Sequence, residues 1–315
     1  MPPVSIIIPT RNRAHLIARA VDSARAAASD AEIIVVDDAS EDETPAVCAG
    51  LPNARYLRTR VRLGPGGARN VGILFCTSDY LAFLDDDDLR LPGSIDAQIN
   101  VLQNRPDAGL IYGKTLFGDQ KGRATGGHYP EQCPSGDVFW QLMQQNFIPC
   151  PTVVFRRACL LRVGMLDEEA SEIADWDLWL RIAELYPVLA LPHPVAIWRQ
   201  SNLTSEQLTS RPDQMHKKIY RLHRDKWTRL ERVLEAGVCQ RRETNRRFAD
   251  RMTEQLIWES VTRLKFGTPA GFARLVLLIA RLYPFAALRK ILRASTWSFV
   301  FERRAPIQPR DTRNY

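Results

Sequence analysis

The 315-residue chain is short of several things, and each shortage excludes a class of protein. No apolar run reaches the roughly 18 residues that a membrane-spanning helix needs. The longest strong candidate, Leu275 to Ala280, is cut by Arg281 and then by Pro284. The opening Met-Pro-Pro-Val-Ser-Ile-Ile-Ile-Pro has neither a basic n-region nor a long h-region, so no signal peptide is expected and a cytoplasmic location is the default. Six cysteines (Cys48, Cys76, Cys133, Cys150, Cys159 and Cys239) form no CxxC pair and have no histidine beside them at zinc spacing. They are expected to be reduced thiols. No internal repeat is present. The turn after the first expected strand, Pro9–Arg13, contains no glycine, which argues against a dinucleotide-binding oxidoreductase.

What is present fits a soluble globular protein of about two domains, with 45% apolar and 25% charged residues. The net charge of +7 conceals an asymmetry. Residues 201–315 carry 24 Lys and Arg against 11 Asp and Glu, whereas residues 1–200 carry 19 against 25. An acidic front and a basic back predict two tasks, and the basic back is expected to attract an anionic partner.

Periodicity predicts alternating elements. Short apolar runs at Val4–Ile8, Glu32–Val36, Arg55–Thr59, Tyr80–Leu84 and Leu110–Tyr112 read as strands. Between them, helices are expected over 13–27, Thr44–Gly50, from the Gly64–Gly67 turn to about Cys76, and after Pro92. This alternation predicts an α/β fold, a Rossmann-like, mostly parallel sheet flanked by helices. Residues 115–150 are expected to be irregular, holding short elements or a flap. Further strands are expected at Thr152–Phe155 and Val195–Trp198, and a helix over Asp175–Tyr186. From about residue 212 the pattern is helical and basic, a mainly helical C-terminal extension.

In open α/β sheets, ligands bind beyond the carboxyl ends of the strands. Here those ends read Pro9-Thr10-Arg11-Asn12-Arg13, Asp37-Asp38-Ala39-Ser40 and Asp85-Asp86-Asp87-Asp88. Adjacent carboxylates repel one another unless a cation is present, and Mg2+ and Mn2+ take carboxylate and phosphate oxygens together. An Asp-x-Asp here reads either as a metal–nucleotide diphosphate site or as a solvated acidic turn capping the next helix. Asp38 reads as a partner for a base or ribose, or as a helix cap; Arg69 as a phosphate partner or a surface salt bridge. Asp175, opening the helix Ala174-Asp175-Trp176-Asp177-Leu178-Trp179, is a general base or an N-cap. Trp176 and Trp179 are a sugar-stacking wall or core.

Taken together these residues resemble glycosyltransferase family 2, inverting enzymes of GT-A fold. The matching text is Val4–Arg13, Ile34–Thr44, Gly67–Gly72, Phe83–Asp88, Asn146–Ile148, Val153–Arg157, Val163–Glu168 and Asp175–Arg181, in order over roughly residues 4–200. The resemblance implies a nucleotide-sugar-binding half over 1–115 and an acceptor-binding half over 116–205, with 206–315 as the basic extension. It places Pro9, Thr10, Asn12, Asp38, Arg69, Asp85 and Asp86 on the donor side. It makes Asp85 and Asp87 the ligands of Mn2+ or Mg2+, Asp175 the base that deprotonates the acceptor, and Trp176 an acceptor-side residue. Two positions depart from the family: Ala174 stands where Glu is usual, and Gln200-Ser201-Asn202 follow Arg199 without the usual His.

The implied activity is metal-dependent transfer of a sugar, with inversion, from a nucleotide-diphosphate sugar (UDP-linked by family habit) to a hydroxyl acceptor. A glycan or lipid-linked glycan in surface polysaccharide assembly is the expected acceptor. Two alternatives are a sugar-phosphate nucleotidyltransferase and a non-catalytic sugar-nucleotide-binding module on the same fold. In the tail, Arg274, Arg281, Arg289 and Arg293 share one helical stripe, opposite Leu275, Leu278, Leu282 and Phe285, with a kink expected at Pro284. A basic amphipathic element over 270–294 suits an anionic membrane, making the protein peripheral on the inner face of the plasma membrane; equally it suits a helical appendage packed on protein. No nucleic-acid motif accompanies the charge.

Overall fold

The computed structural model describes residues 3–200, 212–266 and 269–291. The elements in chain order are β1 (Val4–Thr10), α1 (Ala14–Ala27), β2 (Ala31–Asp37), α2 (Thr44–Ala49), β3 (Ala54–Arg58), α3 (Gly64–Phe75), β4 (Tyr80–Phe83), β5 (Leu89–Arg90), α4 (Ser94–Gln103), β6 (Leu110–Gly118), β7 (Ala124–Tyr129), α5 (Phe139–Leu142), β8 (Val154–Arg156), α6 (Leu160–Val163), α7 (Ala174–Leu185) and β9 (Val188–Arg199). They are followed by α8 (Pro212–Asp225), α9 (Glu231–Glu235), α10 (Val238–Phe266), α11 (Pro269–Leu282) and α12 (Pro284–Ile291). The chain packs as two units, one of residues up to 201 without 140–146, the other of 140–146 and the helices from 202 onward.

In the first unit the strands lie in the order β3-β2-β1-β4-β8-β6-β9-β5, with β7 on β6. The half from β3 to β4 is parallel, as the strand–helix alternation predicts. Beyond β4 the directions mix: β8 runs antiparallel to both β4 and β6, while β9 runs parallel to β6. Val4, Ile6, Ile7 and Ile8 of β1 are all fully buried, as a strand covered on both faces requires. The pleat sends Val4, Ile6 and Ile8 toward Ile17, Ala20, Val21 and Ala24 of α1. Ile7 points the other way, against α3, where Gly72 lies so close that a methyl group on it would overlap the Ile7 side chain.

Two expectations about this unit need correction. The stretch expected to be irregular does hold short elements, β7 and α5, but it begins in regular structure: β6 continues to Gly118, and β7 returns along it as an antiparallel partner. Its Gly-rich text (Ala-Thr-Gly-Gly-His-Tyr) and exposed face give it no apolar alternation to read. The last strand is also much longer than Val195–Trp198, because Pro192, His193 and Pro194 sit inside β9 at register shifts against β6.

The second unit is helical. Phe248, Met252 and Leu256 of α10 and Leu275, Leu278 and Ile279 of α11 are buried. His223 of α8 stacks on Phe248, ring centroids 3.6 Å apart, and Tyr283 meets the edges of Tyr220 and Phe248. The predicted single basic stripe does not persist. The kink expected at Pro284 is there and is sharp, α11 and α12 being bent by 113° at Tyr283, with Pro284 starting the second helix. Arg289 then turns to Asp250 of α10, at 2.7 Å; Arg293 lies outside the described residues.

Candidate active site

Parallel register puts the carboxyl ends of β1 and β2 side by side, with Thr10 opposite Asp37. Asp37, fully buried, braces that edge: it accepts bonds from the Ser40 amide at 2.9 Å and the Tyr56 hydroxyl at 2.8 Å. Asp38 sets the start of α3, its two oxygens accepting the amides of Leu63 at 2.6 Å and Gly64 at 2.8 Å. Asn12 takes a left-handed backbone (φ 52°), a conformation Asn tolerates better than most residues. Its side-chain carbonyl accepts the Glu41 amide at 2.8 Å, tying the first strand's turn to the second's. The hydroxyl of Thr10 donates to Asp86 at 2.7 Å.

The four aspartates after β4 meet four different surroundings. Asp85 pairs with Arg69 of α3, and its side chain keeps 36% of its surface. Arg69 itself is buried, its guanidinium 5.5 Å from the Phe83 ring centre, so its salt bridge is an interior one and not the surface pair that is one of its two readings in the sequence. Asp86 is buried beneath Thr10. Burial, then the charge of Asp87, pushes its carboxyl up to about 7 against the Thr10 hydrogen bond. Asp87 lies between two arginines, 3.1 Å from Arg199 and 3.6 Å from Arg13. Asp88 is buried and accepts the Arg199 amide at 3.0 Å. Burial and its acidic neighbours raise its pKa well above the carboxylate range.

Asp175 stands in the first turn of α7, partly open to solvent. Burial by the surrounding protein raises its pKa to about 6, opposed chiefly by the charge of Arg69. Arg69 is thus the common neighbour of Asp85 and Asp175. Trp176, expected on the acceptor side, is only 4% exposed, so its ring lies within protein. Trp179 is core, packed at 5.6 Å on Phe155 and 6.0 Å from Phe83. Ala174 is fully buried facing Gly66 of α3, where a Cβ would come within 3.4 Å of the alanine methyl. That close approach of α3 and α7 leaves little room for the glutamate usual at this position.

The structure therefore gathers Thr10, Asn12, Asp38, Arg69, Asp85, Asp86, Asp87 and Asp175 at one end of the sheet. Arg13 and Arg199, which the sequence reading gave no role, join them through Asp87. The signal was there in Arg199: it is the first charged residue to close the apolar run of β9. Arg90 was also passed over; it is buried on Gln98 (2.8 Å) and the Val153 carbonyl (2.6 Å), its pKa lowered by burial to about 9.

A divalent ion fits the donors present. Asp85 and Asp87 offer hard carboxylate oxygens, and Asp85 is open on one side. Among the described residues no three His, Cys, Asp or Glu side chains converge as a closed cage. A magnesium-type ion held by one or two carboxylates and completed by substrate phosphates requires none.

A family model described as glycosyl transferase family 2 matches residues 5–162, half of the chain. An uncharacterized glycosyltransferase of Rickettsia typhi (strain ATCC VR-144 / Wilmington) is 31% identical over 199 residues, which are 59% of this chain and 61% of the relative. The matched region is thus about three fifths of that relative's length. The succinoglycan biosynthesis protein ExoO of Rhizobium meliloti (strain 1021) is 38% identical over 102 residues, 31% of this chain and 29% of ExoO. Among solved structures, S. aureus TarS 1-349 in complex with UDP-GlcNAc superposes with a TM-score of 0.62 at 16% identity, covering 93% of this chain and 84% of that one. The mannosyltransferase PcManGT from Pyrobaculum calidifontis, in complex with GDP-Man and Mn2+, gives 0.55 at 16% identity, covering 95% and 85%. The sheet and its helices are those of GT-A glycosyltransferases, and the strand-end motifs lie within the matched region: the chain belongs to glycosyl transferase family 2.

Proposed function

We propose that this protein transfers a sugar from a nucleotide-diphosphate sugar to a hydroxyl acceptor in one displacement, with inversion at the anomeric carbon. The observation that carries this reading is Arg69, placed between an aspartate of the strand-end loop and an aspartate at a helix start. Asp175 takes the acceptor proton as the acceptor oxygen bonds to the anomeric carbon. The bond from that carbon to the diphosphate breaks, and its electron pair leaves with the diphosphate. With a pKa near 6, Asp175 is mostly ionised at neutral pH yet basic enough to share the proton in the transition state. Asp85 and Asp87 would hold Mn2+ or Mg2+, which when bound supplies positive charge to the leaving diphosphate. Arg69, Arg13 and Arg199 fix the orientation of those two carboxylates. Asp38 and Asn12 hold the turns that form the nucleotide side.

A UDP-linked donor is favoured by the UDP-GlcNAc complex among the structural neighbours, a manganese requirement by the Mn2+ complex of the mannosyltransferase. The ExoO similarity favours an acceptor in polysaccharide assembly. The test is thermal stability against UDP, GDP, dTDP and CTP, each with and without Mn2+. A ligand at 100 times its dissociation constant adds about 2.7 kcal/mol. At roughly 2–4 °C per kcal/mol the melting point moves by several degrees. A manganese-dependent shift with one nucleoside diphosphate, followed by release of that diphosphate from its sugar conjugate, is the expected result. A shift with CTP alone would point to a nucleotidyltransferase, and no shift at all would remove the transferase reading.

A further inference from the structure

The basic helices of the second unit are outside this function, and their described residues sort into two faces. Leu275, Leu278 and Ile279 of α11 and Ala286 of α12 turn inward, nearly sealed from solvent. The outward sides carry Leu277 at 71% exposure and Val276 at 42% on α11, and Phe285 at 79% and Leu288 at 57% on α12. Large apolar side chains this open, grouped on two consecutive helices, are unusual on a protein surface that meets only water.

The charge on this face has one sign. No Asp or Glu occurs between Glu259 and Glu302. Arg289 and Lys290 are committed to Asp250 and Glu254 of α10. Arg274 and Arg281 of α11 are exposed and make no ion pair among the described residues.

The geometry also limits how deep such a face can go. No single described helix is long and apolar enough to cross a membrane, and α11 and α12 are bent by 113° at their junction. Fourteen residues of helix span only about 21 Å. The inward faces of both helices are already used in packing, so the pair cannot present apolar surface all round to lipid. What remains is an exposed apolar side on each helix, that of α11 flanked by Arg274 and Arg281, the composition of an element that lies in the plane of a headgroup region.

We propose that the outward face of α11 and α12 docks the protein on an anionic phospholipid surface. Leu277, Phe285 and Leu288 enter the acyl boundary, and Arg274 and Arg281 meet lipid phosphates. The proposal stands apart from the transferase reading, because it uses no residue of the strand-end site.

The test is co-sedimentation of the full chain with vesicles of phosphatidylcholine alone or mixed equally with phosphatidylglycerol. Binding to the mixed vesicles that weakens with salt is expected. The exposed double variant Leu277→Gln/Phe285→Gln should lose at least about ten-fold in partitioning, each buried apolar side chain contributing on that order. Arg274→Gln/Arg281→Gln should lose the preference for phosphatidylglycerol, at about five-fold per charge. Circular dichroism and thermal melting confirm that each variant is folded. No sedimentation of the wild type, or undiminished sedimentation of the Leu277/Phe285 variant, overturns the proposal. So does a wild-type dimer in analytical ultracentrifugation that this variant abolishes without changing vesicle binding; the face would then join two copies of the chain.

Discussion

Arginines at the strand ends and arginines on α11 carry the same charge in opposite surroundings. Arg13, Arg69 and Arg199 each face an aspartate, and Arg69 is buried doing so. Arg274 and Arg281 face outward among leucines on a stretch without a single acid. In the sheet unit, cationic side chains hold carboxylates in place, so the charge is internal and the geometry is fixed. In the helical unit Arg289 and Lys290 are likewise paired with Asp250 and Glu254, whereas Arg274 and Arg281 have no acid within the described residues to hold. The histidines extend the contrast. The helical unit buries His216 and His223 as neutral rings, their pKa values lowered by burial to about 4, whereas in the sheet unit Arg69 is buried against the carboxylate of Asp85.

The strongest way to sharpen this contrast is to remove the base without removing the frame. Asp175→Asn should cut turnover by about 10²–10⁴-fold while leaving nucleotide binding by thermal shift intact. Near-normal turnover would mean that Asp175 only caps α7. The wild-type pH profile checks the same residue independently. The base acts only when unprotonated, so kcat/KM should fall about ten-fold per pH unit below a midpoint near 6 and be flat above it. Loss of the frame comes next. Arg69→Met should leave Asp85 without its partner and cost about 1–3 kcal/mol of stability, measured by urea unfolding.

The buried histidines give the helical unit its own pH response. Their folded pKa values lie below the unfolded value of 6.5, so the unfolded chain binds more protons. The stability they allow is complete above pH 6.5 and is lost as pH falls toward 4, at up to about 1.4 kcal/mol per pH unit for each ring. Hydrogen exchange should show α8 and α10 loosening in that window before the strands of the sheet do; the reverse order would break the comparison. The smallest effect is expected at the outward arginines. Arg281→Gln should change stability by no more than about 0.5 kcal/mol, since nothing in the fold depends on it.

The parallel half of the sheet was legible because its strands are buried on both faces and therefore read as unbroken apolar runs such as Val4–Ile8. The carboxyl-end rule then located Thr10, Asp38 and Asp85 without any structure. What was not legible depended on partners distant in sequence. Asp87 looks like its neighbours in the text, and only the return of β9 brings Arg199 to it across 112 positions. Trp176 and Trp179 follow Asp175 along α7, and composition does not tell that both rings lie within protein. The β6–β7 pair was missed because glycine and exposed polar residues hide the period of two. In the tail the kink was legible from Pro284 itself, but not its angle, so the break survived and the single stripe did not.

The absence of a side chain at Gly72 works as a spacer. Because α3 rests directly on Ile7, the distance from the sheet to Arg69, three residues earlier on the same helix, is set by bare backbone contact. One added methyl would lift the helix like a shim under a lens mount. It would carry the guanidinium, and with it the grip on Asp85, out of alignment with a strand end that has not moved. Displacements of about an ångström far from the reacting atoms can cost about 10²-fold in rate. The smallest residue in the chain thus sets the tolerance of the whole site.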